Sequence, residues 1–149
     1  MRPSSPLPFI LLGIIFWFSA ALLVRFIGPY ALTPGNPLRL VLFVVAGPIT
    51  IGFLASAKRV GRMGWHQLLR PTVIMTYTAT LLDGVALTWF HTLYSTSYEV
   101  ALSGAALILW GAGLGLLLAL LLEQRQALSQ TGAAGQFAEE PADLHSARH

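Results

Sequence analysis

No cysteine occurs among the 149 residues. Disulfides, thiolate metal sites and thiol nucleophiles are therefore excluded, and nothing can be read about redox compartment. Charge is nearly as scarce: nine Lys and Arg with six Asp and Glu make up 10% of the chain, against roughly a quarter in an average soluble domain. The sequence has no HExxH, no P-loop and no GxSxG, and its histidines are scattered at positions 66, 91, 145 and 149, so no catalytic motif or metal-ligand cluster stands out. Gly111, Gly113 and Gly115 lie close together, but they lack a preceding strand and the dinucleotide spacing. The chain reads as a non-enzyme without cofactor or metal.

What is abundant is apolar surface. Hydrophobic residues are 55% of the chain and the mean hydropathy is +0.68, which makes lipid the natural solvent. Four long apolar segments account for it, at about 8–27, 39–57, 72–94 and 100–122, and each can cross about 30 Å of hydrocarbon as a helix. Strands are disfavoured, because the runs lack two-residue alternation and an open sheet cannot satisfy its backbone in lipid. The expected fold is thus all-α, a polytopic bundle of four transmembrane helices over 1–123. Pro48 falls inside the second span, where it must kink the helix or be absorbed by neighbours.

The connections fit this parsing. Gly28, Pro29, Pro34, Gly35, Asn36 and Pro37 mark a turn between the first two spans, and Pro71 stands where the third would begin. The stretch 124–149 is poor in apolar residues and is expected to be a disordered tail, with the last helix running on by a turn or two. An N-terminal secretory signal ending near Ser19-Ala20-Ala21 is the alternative for the first span; its length and the apolar residues that follow argue for a retained helix.

Orientation follows from the basic residues. With both termini cytoplasmic, Arg2, Lys58, Arg59, Arg62, Arg70, Arg125 and Arg148 lie inside and only Arg25 and Arg39 outside, the bias of the positive-inside rule. Trp65 then falls in the inner interfacial belt, and Tyr30, Trp89, Tyr94 and Tyr98 in the outer one. The positive net charge of +3 is accounted for by the membrane surface, not by nucleic acid. The expected location is a cell membrane, the bacterial inner membrane.

Asp83 is the first candidate for chemistry, since an acid near the centre of a spanning helix costs a few kcal/mol and should face the bundle interior with a partner. On a helical wheel Thr72, Thr76, Thr80, Asp83, Leu87, His91 and Tyr94 fall within about 100° of one another, a polar stripe that forms the one candidate pocket or conduction path. Proton carriage by Asp83 is chemically possible. Two readings of the stripe stand side by side: a functional site, or threonines bonded to their own backbone around a structural acid. Arg25 is the ionic candidate for Asp83, although it lies about 11 Å higher along the bundle axis at 1.5 Å per residue. His91 lies nearer Arg25 and also reads as an interfacial residue.

The fourth span carries small residues on one face, Ala101, Gly104, Gly111, Gly115 and Ala119. The Gly111-x-x-x-Gly115 spacing allows close helix approach, either within the chain or between two copies. An early aromatic and arginine-bearing helix (Phe16, Trp17, Arg25), a Leu81-Leu82-Asp83 triplet and a glycine-containing last helix together resemble a family of small bacterial four-helix integral membrane proteins of unknown function. The similarity spans roughly 9–122; the family's phenylalanine-rich run and Pro-Asn turn are replaced here by Trp89 to Ser95. This resemblance implies an architecture and no activity. The expected function is a non-catalytic assembly component, in contact with lipid and with either itself or another membrane protein; the alternative is a small transporter or channel using Asp83.

Overall fold

The computed structural model describes residues 5–138, with side chains described over 5–129. Among the described residues the chain is all-helical: α1 (Leu7–Ala31), α2 (Leu38–Gly61), α3 (Leu69–Trp89) and α4 (Tyr98–Ala138), with short 3-10 turns at Trp65–Gln67 and His91–Leu93. Three helices are long and apolar enough to cross a membrane, namely α1, α2 and α4 over Tyr98–Ser129. The 21 residues of α3 reach about 31 Å at 1.5 Å each. Its threonines and Asp83 leave it less apolar than the other three.

The breakers act where expected. Leu32 to Pro37 turn the chain between α1 and α2, with Gly35 in the left-handed region at φ 76°, a conformation glycine adopts without steric cost. Pro48 lies inside α2 and Pro29 inside α1, and both helices continue through them. In α3, Pro71 occupies the first turn, where its missing N–H would have had no helical partner.

The largest departures from the expected spans are at the C-terminal ends of α3 and α4. The third span was expected to reach residue 94, but α3 stops at Trp89, and Phe90, at φ −132°, begins a turn that reverses the chain. The last helix, expected over 100–122 with a run-on of a turn or two, starts at Tyr98 and runs to Ala138, so the helix continues well past that run-on into the stretch expected as a disordered tail. The run Glu123-Gln124-Arg125-Gln126-Ala127-Leu128 consists of strong helix formers and carries α4 onward. The remainder of that tail, 139–149, lies outside the described residues.

In the bundle α1 packs chiefly on α3 and α2 on α4, while α3 also contacts α4. One core cluster is built on Ala21, Val24, Leu32, Ala86, Tyr94 and Val100. A second, nearer the start of α1, is built on Phe9, Leu12, Leu54, Leu68, Met75 and Ala119. Large apolar residues such as Phe26, Leu40, Val44, Leu81 and Leu109 point outward, the arrangement lipid solvates and water does not.

Candidate functional site

Asp83 is buried on the inner face of α3 at 9% exposure, and its partners come from other elements. The Tyr94 hydroxyl donates to Asp83 Oδ1, and the Tyr94 oxygen accepts the Trp17 indole N–H at 3.0 Å. This short chain of hydrogen bonds ties α1 to α3 and to the segment before α4. Tyr94 is fully buried at 0% exposure, a correction to its expected place in the outer interfacial belt. In an uninterrupted helix Tyr94 would stand about 16 Å along the axis from Asp83. Only the stop at Trp89 and the reversal through His91–Leu93 fold its phenol back beneath α3.

The other residues of the expected stripe separate. Thr72 is buried and Thr76 half-buried, whereas Thr80 is exposed. The inner face of α3 is centred on Thr72, Met75, Asp83 and Ala86, and Thr80, three residues before Asp83, is rotated about 60° away at 100° per residue. Thr72, Thr78, Thr80 and Thr88 each donate to the carbonyl four residues back, at 2.7–2.8 Å, as threonines in apolar helices commonly do. His91 is exposed at the turn and is not brought to Asp83. Arg25 is exposed as well and donates to the Thr92 carbonyl, so it fixes the α3–α4 connection to α1 and forms no pair with the acid.

Between the four helices lies a cavity of about 210 Å³. Trp17 and Leu23 of α1, Ala46 and Phe53 of α2, Thr76 and Asp83 of α3, and Leu107 and Gly111 of α4 are among the residues around it. Ser19, Thr50 and Thr72 also line it, but each hydroxyl is committed to a carbonyl four residues back, at 2.7–2.8 Å. Every fully buried polar side-chain atom among the described residues has a hydrogen-bond partner. The Tyr94 bond to the carboxyl is made at Oδ1, so Oδ2 is not sealed in. The Asp83 carboxyl, with the Thr76 hydroxyl, is thus left with polar capacity toward a mostly apolar chamber. Phe16 and Phe53 stack across α1 and α2 with ring centroids 4.1 Å apart. Ser19 of α1 and Ile49 of α2 both line the cavity and are exposed.

The glycine face of α4 is occupied inside the chain. A Cβ built on Gly104 would lie 2.4 Å from Val24 Cγ1, one on Gly115 would lie 3.3 Å from Thr50 Cγ2, and one on Gly111 would lie 3.7 Å from Thr50 Oγ1. Gly104 therefore receives α1, while Gly111 and Gly115 receive α2. The sequence pattern does not single out Gly13, where a Cβ would meet the Met75 carbonyl oxygen at 2.8 Å. An isolated glycine in an apolar run has no spacing signature to mark it. Trp17 is similarly silent, because an aromatic in a spanning helix reads as packing until its indole N–H finds an acceptor. No family model, curated protein or solved structure matches this chain.

Proposed function

We propose that this chain is a non-catalytic membrane protein of four crossing helices, with both termini cytoplasmic, whose central cavity takes up a lipophilic cation from the bilayer and balances its charge with Asp83. The observation that carries this reading is the conjunction of an apolar chamber between four helices with one buried carboxyl on its wall. A polar but uncharged ligand would find the hydroxyl protons of Ser19, Thr50 and Thr72 already given to backbone carbonyls, with Thr76 the hydroxyl left to donate. A cation gains a counter-charge at Asp83 and the ring face of Trp17 beside it. At about 210 Å³ the chamber lies below the usual range of ligand pockets, about 300–1,000 Å³, which selects a compact ligand. Ser19 and Ile49, which line the cavity and are also exposed, mark the side on which such a molecule would enter from lipid.

Crossing by α3 is supported by its 21-residue length and by its place between α1 and α4. Its threonines and Asp83 are also turned to the interior or back to their own backbone. Lys58, Arg59, Arg62 and Arg70, clustered about the α2–α3 connection, support a cytoplasmic position for that side, in a bacterial inner membrane. Trp17 serves the site from α1, so this reading requires the first helix to be retained.

The test is calorimetric titration of the purified protein in nonionic detergent with hexyltrimethylammonium, for the native chain and for Asp83→Asn. One ion should bind per cavity, with affinity at least about tenfold lower in the variant. Equal affinity in the two proteins would remove the reading. Electrogenic flux of the same ion in proteoliposomes would make the protein a transporter, and binding without flux a receptor or carrier subunit.

A second reading, an assembly component that docks on another membrane protein, draws on the extension of α4. Residues 123–129 continue the helix past the uncharged run 100–122, and Arg125, Leu128 and Ser129 are exposed. Single helices of this kind are marginal in water without a packing partner.

A further inference from the structure

A second concavity lies outside the bundle, on the face shared by α2 and α4, and does not communicate with the reading above. Its volume is about 870 Å³, and its walls include Phe43 and Val44 from α2 with Leu102, Ala106 and Trp110 from α4. The Trp110 indole N–H, the one strong side-chain donor on this floor, is already given to the Phe43 carbonyl at 3.1 Å. The Phe43 and Trp110 rings brace each other at 6.2 Å. The middle of the groove is therefore mostly apolar, with the Ser103 hydroxyl as the polar group on its α4 wall, and it suits a hydrocarbon chain.

The groove ends in charge. Gly35, Asn36 and Arg39 close it beside the α1–α2 turn. Arg39 is exposed at the first turn of α2, where the helix meets the membrane interface whichever way the bundle is oriented. The Asn36 side chain is spent on the turn itself, donating to the Tyr30 carbonyl at 2.7 Å and accepting from the Leu38 N–H at 2.9 Å. That fixes the approach of Arg39 and leaves its guanidinium as the group facing outward. A planar guanidinium pairs with phosphate through two parallel hydrogen bonds, and the groove below it is apolar except for Ser103.

We propose that the α2–α4 groove is a phospholipid site, in which one acyl chain lies against Phe43, Ala106 and Trp110 and the phosphodiester is held by Arg39. Charge complementarity selects this occupant over a second copy of the chain, because an isologous contact would bring two Arg39 side chains to one interface without an acid lining the groove. It also selects a phospholipid over a neutral lipid, which would leave the guanidinium without a partner.

The experiment is native mass spectrometry of the full chain released from delipidating detergent, with palmitoyl-oleoyl phosphatidylglycerol added in a dilution series and the matching diacylglycerol as the headgroup-free control. One phosphatidylglycerol should be retained per chain. Retention should fall about tenfold in Arg39→Gln, the loss of one charge-assisted contact, and to a similar degree in Ala106→Trp, which fills the groove. Diacylglycerol should bind no better to the native chain than to Arg39→Gln. Unchanged retention in both variants, or equal retention of diacylglycerol and phosphatidylglycerol by the native chain, overturns the site. So does a dimer of the native chain that Ala106→Trp dissociates, because the groove is then a contact between copies. Because Arg39 is exposed, its replacement leaves the helical core intact, and an unaltered circular dichroism melt checks this.

Discussion

The two main seams of the bundle are built differently. Along α1–α3 the backbones meet: Gly13 faces the Met75 carbonyl oxygen and Cα, which a Cβ would approach to 2.8 and 3.1 Å. The same seam is pinned by the bridge from Trp17 through Tyr94 to Asp83. Along α2–α4 side chains keep the helices apart. Thr50 stands before Gly111 and Gly115, Trp110 props Phe43, and a groove opens on the outer face. The helix pair with the recognisable small-xxx-small spacing is thus the looser one. Closeness depends on whether backbone or side chain faces the glycine, and a motif on one helix does not specify that.

Breaking the tight seam should have the largest effect. Gly13→Val should lower stability in detergent by about 3 kcal/mol, because overpacking against a backbone carbonyl cannot be relieved by a rotamer change; thermal unfolding followed by near-ultraviolet circular dichroism measures it. A loss as small as that of a surface substitution would mean that α1 and α3 separate easily. Tyr94→Phe should come next, at about 1–3 kcal/mol. It deletes the hydroxyl shared by buried Asp83 and half-buried Trp17 and leaves the Trp17 N–H and the Asp83 carboxyl to find others. Its indole emission should also shift, since Trp17 loses its acceptor.

Gly111→Ala sharpens the comparison from the other side. Its Cβ would reach Thr50 at ordinary contact distance, 3.7 Å, so stability should stay within about 0.5 kcal/mol of the native protein. A large loss there, with a change of oligomeric state by light scattering, would mean that the α4 glycine face meets a second chain. Together with the Asp83→Asn titration and the Arg39→Gln lipid experiment, these variants probe both seams, the cavity between them and the outer groove.

Much of the architecture is legible in the residues. Runs of uncharged apolar residues as long as the bilayer is thick dictate helices, and Pro34, Gly35 and Pro37 place the first turn. The cost of burying an acid in an apolar helix marks Asp83 as inward-facing. The end of α3 was less legible, because Trp89 to Tyr94 contains neither glycine nor proline, and helical periodicity carried the expected span through it.

Sequence by itself determined the solvent, the helical class, the outward apolar surface and the burial of Asp83, since each follows from the transfer free energy of local composition. Only the tertiary structure decided that Asp83 is answered by Tyr94 and Trp17 while Arg25 turns to a backbone carbonyl, that Gly13 makes the closest backbone approach, and that a chamber remains between the helices. Those outcomes depend on how residues up to 77 positions apart are brought within hydrogen-bond range, and local periodicity holds no record of relative helix offset or rotation.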